Sequence, residues 1–159
     1  MAKPLFFYGT LRHLPLLEIV LGHSFDPSQA QDAQLDGYAC CAVADAPFPM
    51  LVGQAKHSVQ GIVVSGLTSS NIARLDFYEG GFDYDLVDVV LKDGTAAQVY
   101  LCDPKRWQAD GAWDFPAWQM QWGAMSCHAA REVMGHFGTL SRDEVAAIFP
   151  QIRARAWAN

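Results

Sequence analysis

Positive charge is scarce in this chain and nowhere clustered. Eleven lysines and arginines stand against seventeen aspartates and glutamates, for a net charge of −6. That balance argues against a nucleic-acid-binding surface, which needs basic side chains grouped along the phosphates. Long hydrophobic runs are also missing. None approaches the ~18 residues of a membrane-spanning helix, and no apolar leader follows Met1-Ala2-Lys3-Pro4, so neither a membrane nor a secretory signal is expected. Cysteine is limited to Cys40, Cys41, Cys102 and Cys127, with no C-x-x-C pair. Adjacent Cys40 and Cys41 on a strand would face opposite sides, so free thiols in a cytoplasmic protein are expected rather than zinc or disulfide chemistry. The histidines show no metal-ligand spacing. There is no G-x-S-x-G elbow, dinucleotide fingerprint or phosphate-loop lysine. No cofactor and no metal are expected.

Half of the 159 residues are hydrophobic and 18% are charged, a balance that favours a packed core over disorder. Pro4 to Tyr8 reads as a buried first strand broken by Gly9-Thr10-Leu11. A helix then begins near Pro15 and stops at Gly22. Ala33 to Val43 reads as a strand bent near Gly37. Ala46 to Val52 is extended around its two prolines, and Val59 to Leu67 is a strand whose interior Gly61 marks a bulge or a close backbone approach. Ser69 to Tyr78 reads as a short helix, capped by Ser69 or Ser70 and ended by Gly80-Gly81 in the left-handed conformation. Two strands, Tyr84–Leu91 and Ala97–Cys102, make a hairpin around Asp93-Gly94. Pro104 to Trp113 reads as a loop. Asp114 caps a long helix with an apolar stripe from Trp118 to Phe137, and Ser141 with Glu144 forms a capping box for another. Pro150 is expected to separate that last helix from a short basic tail.

Chemistry concentrates in two places. Strand, tight glycine loop and helix at the N-terminus leave main-chain N–H groups free to hold an anion or a carbonyl. Glu79 falls at the end of its helix beside the buried stripe. Desolvation and the negative end of the helix dipole would both raise its pKa, which suits a general base near neutral pH.

Phe7-Tyr8-Gly9-Thr10-Leu11-Arg12, together with Leu75-Asp76-x-Tyr78-Glu79-Gly80 and the trailing Tyr84, resembles the gamma-glutamylcyclotransferase-like superfamily, including its gamma-glutamylamine branch. The likeness spans about the first 100 residues. It implies an α+β fold, a small and mostly antiparallel β-barrel with flanking helices over residues 1–103, and a C-terminal helical extension over 104–159 packed on the same domain. It also implies a cofactor-independent cyclotransferase of the C–N lyase or acyltransferase type. That enzyme turns a gamma-glutamyl amine or peptide into 5-oxoproline and the free amine. Tyr8, Gly9, Thr10 and Leu11 would bind the substrate, Tyr84 would line the site, and Glu79 would be the base. One departure is Leu86, where relatives often carry an arginine two residues after the tyrosine. It motivates the alternative of a catalytically idle member used as a binding module. A small-molecule substrate is the expected partner, with a homo-oligomer or helper domain reached through the C-terminal helices.

Overall fold

The computed structural model describes residues 3–80 and 84–158. Its strands are β1 (Leu5–Phe7), β2 (Ala30–Val43), β3 (Pro49–Val64), β4 (Tyr84–Val90), β5 (Ala96–Cys102) and β6 (Ala109–Ala112). Its helices are α1 (Leu14–Leu21), α2 (Ser69–Gly80), α3 (Phe115–Gly135) and α4 (Arg142–Trp157). The strands form one sheet in the order β4-β5-β1-β3-β2-β6, antiparallel throughout except for the β1–β5 pair. The class is α+β, as expected, but the sheet does not close. β4 and β6 end it on opposite rims, and β1 and β6 are only three and four residues long. Barrel closure requires strands of matched length and stagger all the way round. The sheet curls instead: the turn after β4 reaches β2, where Lys92 N–H donates to Gln34 O (2.9 Å).

Alternation along β1 explains its central place. Leu5 and Phe7 face a core made with all four helices, including Leu17, Leu75, Val133 and Ile152. Phe6 and Tyr8 face a second core made by the strands alone, with Leu35, Val59 and Val99. A strand buried on both faces reads as a continuous apolar run. Cys40 and Cys41 part in the same way, one toward each core, and all four cysteines are free. Gly61 marks a close approach, because a Cβ there would collide with Phe7 O and lie 2.8 Å from the Phe6 ring. Gly37 has φ +90° at the register shift in β2, where the bend was expected.

Several local expectations need correction. β3 is one strand from Pro49 to Val64, because its exposed middle is carried by pairing with β2. The segment expected to be a loop before Trp113 contains β6, paired with β2 at Cys41 and Val43. Thr68 rather than Ser69 or Ser70 caps α2: its hydroxyl accepts from Asn71 N–H (3.1 Å) while Thr68 N–H donates to Asn71 Oδ1 (3.0 Å). Helix α4 continues through Pro150 to Trp157. Proline costs a helix interior about 3 kcal/mol. Here a capping box starts the helix, and a buried stripe of Val145, Phe149, Ile152 and Ala156 outweighs that cost. Among the described residues, no helix is long and apolar enough to cross a membrane.

Candidate active site

The first bend of the chain makes one wall. Arg12 N–H donates to Gly9 O (3.1 Å) and His13 N–H to Thr10 O (3.0 Å), which closes a short turn whose earlier N–H groups it does not use. Gly9 lets this bend lie against the β2–β3 connection, since a Cβ there would stand 2.9 Å from Pro49 Cγ. The connection is itself held from two sides. Trp118 Nε1 of α3 donates to Pro47 O (2.6 Å), and the Tyr84 phenol donates to Pro49 O. Phe48 is thereby set edge-on against Tyr84, with ring centroids 6.3 Å apart.

Helix α2 delivers Glu79. Leu75, Phe77 and Tyr78 bury the helix's last two turns, so the carboxylate that follows is carried inside with them and is 6% exposed. Gly80 remains helical rather than left-handed; Gly81 lies outside the described residues. Glu79 has no hydrogen-bond or ion-pair partner among the described residues. Burial pushes its pKa up to about 8, with Asp76 adding to the rise and Arg142 opposing it. Desolvation is the largest cause, and it acts because the neutral acid needs less solvation than the carboxylate.

Tyr8, Gly9, Thr10, Leu11, Glu79 and Tyr84 all line one pocket, with Phe48, Pro49 and Tyr100. About 400 Å³ of atom-free space lies between these walls out to the mouth. The Tyr8 phenol donates to the main-chain carbonyl of Tyr100 (3.0 Å), and the Tyr100 phenol donates to Asp76 Oδ1 (2.7 Å). Burial, reinforced by Glu79's charge, raises the pKa of Tyr8, Tyr84 and Tyr100, so all three remain protonated donors. No cluster of metal-ligating side chains occurs among the described residues.

Two contributors escaped the sequence reading. Tyr100 had a signal in the β5 alternation, where Val99 and Tyr100 face opposite cores. Arg142 had none, because it is distant in sequence and sits in the helical extension. Leu86 is half-buried and paired with Tyr100 across the β4–β5 ladder, and it is not among the residues lining the pocket.

Comparison with known proteins bears on the family and the fold. A family model described as "Gamma-glutamyl cyclotransferase, AIG2-like" matches residues 5–115. Protein AIG2 C of Arabidopsis thaliana is 27% identical over 124 residues, 72% of this chain and 71% of that protein. AIG2-like protein B of the same plant is 24% identical over 123 residues, 72% of this chain and 68% of its own. A solution structure of an Arabidopsis thaliana protein superposes with a TM-score of 0.59 at 22% identity, covering 87% and 84% of the two chains. A structure named gamma-glutamyl cyclotransferase superposes with a TM-score of 0.53 at 14% identity, covering 95% and 99%. These structural likenesses show the fold. The match over residues 5–115 goes further: this chain belongs to the AIG2-like gamma-glutamyl cyclotransferase family.

Proposed function

We propose that the protein is a cyclotransferase that converts a gamma-glutamyl amine or peptide to 5-oxoproline and the free amine, acting in the cytoplasm. The observation that carries this reading is a buried Glu79, with no hydrogen-bond or ion-pair partner among the described residues, in the same pocket as the Tyr8–Leu11 bend. Buried carboxylates are normally hydrogen-bonded or paired, so one left open toward a pocket is held for something that arrives.

In the proposed reaction the substrate's α-ammonium is that arrival. In the empty pocket Glu79 is mostly protonated near neutral pH, because its pKa lies at about 8. A bound cation favours the ionised form, so the acid gives up its proton as the substrate seats. The carboxylate then takes a proton from the ammonium, and the freed nitrogen attacks the γ-carbonyl of the same molecule. A C–N bond closes the five-membered ring, and the collapsing intermediate breaks the C–N bond to the leaving amine, which receives the proton back from Glu79; the ring nitrogen loses its second proton to that amine by way of solvent, leaving a neutral lactam N–H and an ammonium product. Main-chain N–H groups of the bend are donors for the carbonyl oxygen as it gains charge. Because nucleophile and electrophile share one chain, holding that chain folded supplies much of the acceleration.

The test is a panel of gamma-glutamyl amines and dipeptides, followed by 5-oxoproline release. Activity on at least one is expected, with a loss of about 10²–10⁴-fold in Glu79→Gln. Full activity in that variant would remove the mechanism. Turnover of no panel member would leave the pocket as a binding module, the reading Leu86 favours.

A further inference from the structure

Arg142 is the first residue of α4 and lies outside the residues the family model matches. Its side chain runs back across the end of α2. A Cβ on Gly80 would collide with Arg142 Cγ and Nε and stand 2.6 Å from its Cδ. The guanidinium Nη2 donates to Tyr84 O and lies 3.4 Å from Asp85 Oδ1. One side chain thus bridges the residue after Glu79 and the first residue of β4.

We propose that Arg142 is a positioning residue: it clamps the end of α2 to the start of β4, so that Glu79 and Tyr84 stay in one pocket, and it supplies from the C-terminal helix the cation that acts on Glu79 through space. The consequence for turnover rests on the cyclotransferase reading; the consequence for Glu79 itself does not.

Among the described residues, no other cation acts on Glu79. Asp76 on α2 opposes ionisation of Glu79, and Tyr8, Tyr78, Tyr84 and Tyr100 face it as neutral phenols. The other arginine of this region, Arg74, is turned toward α1, donating to Val20 O (2.7 Å) and Ile19 O (3.4 Å). Gly80 also gains a physical reason. It is glycine for room rather than for backbone conformation, because any side chain there would take the place of the arginine stem.

Gly80→Ala therefore displaces the guanidinium while keeping it in the chain, and Arg142→Met removes the charge while keeping the stem. In the resting protein, the Glu79 side-chain carboxyl is titrated by carbon NMR with labelled glutamate, assigned against Glu79→Gln. Its midpoint is expected to rise by about half a unit or more in both variants, with Arg142→Lys in between. In kcat/KM for a turned-over gamma-glutamyl substrate, the acidic limb should move up by the same amount. Turnover near pH 7 should fall by about 3-fold or more and recover at higher pH. An unchanged Glu79 midpoint in both variants overturns the proposal, even where the melting temperature falls, since a merely structural role would lower stability without moving that midpoint. Should the wild-type protein turn over no gamma-glutamyl compound, the functional reading fails while the titration still decides this one.

Discussion

Replacing Glu79 with glutamine should stabilise the protein, by an amount that grows with pH. The native carboxyl titrates at about 8 against an ordinary value of 4.5. In that interval the folded protein binds a proton that the unfolded chain has released, so stability falls as pH rises from the lower value toward the upper. Glutamine is neutral, of nearly the same size, and bears no such dependence. Each unit of difference is worth about 1.4 kcal/mol. By linkage, the variant's advantage should be about 1 kcal/mol near pH 5 and about 3 kcal/mol near pH 7, levelling between about 4 and 5 kcal/mol above pH 8. For a chain of this size, about 3 kcal/mol corresponds to a melting shift of roughly 6–12 °C. Urea unfolding of both proteins across this range, read by the tryptophans, measures the gap directly. The histidines and other carboxyls contribute to both curves and cancel in the difference. Parallel curves, or a variant less stable at neutral pH than the parent, would refute the picture of a desolvated acid held without a partner.

Other perturbations test the frame around the site. Gly61→Ala should cost about 1–3 kcal/mol in urea unfolding, because its Cβ meets Phe7 O, main chain in a central strand. Ser141→Ala removes the hydroxyl that accepts from Glu144 N–H (3.1 Å) at the start of α4, and should lower stability by about 1 kcal/mol in thermal melts. Ile152→Ala, beyond Pro150 yet fully buried, should cost about 2–5 kcal/mol, whereas exposed Gln151→Ala should stay within about 0.5 kcal/mol. Equal, small effects at both positions would contradict a packed helix there.

How much could be read from the residues alone depended on how local the physics was. The bend after β1, the stop at Gly22, the Asp93-Gly94 hairpin and the Ser141 capping box are settled within a few neighbours, and all lie where expected. Glu79 was legible for the same reason: Leu75 and Tyr78 announce the buried face that carries it inside. Pro150 misled because its local penalty is overruled by packing on both sides of it, at Val145 and Phe149 before and Ile152 and Ala156 after. β6 was invisible because Ala109–Ala112 has no apolar side chain larger than alanine and owes its extended form to β2. Arg142 could not have been linked to Glu79 at all, since the link exists only once α4 is folded against α2.

The unclosed sheet leaves two rims bare, and their composition governs how the molecule meets its own kind. Along β4 both faces carry an exposed acid, Asp85 on one and Asp88 on the other, the latter bonded to Lys3 at 3.2 Å. The opposite rim is the brief, wholly exposed Ala109–Ala112, which contains Asp110 and the left-handed Gly111. A foreign strand laid against either would have to bury acids or bridge a kink, and it would gain few hydrogen bonds. The gap in the sheet is thereby made unattractive to self-propagating strand addition, so a molecule that keeps its sheet open can do so without seeding fibrils.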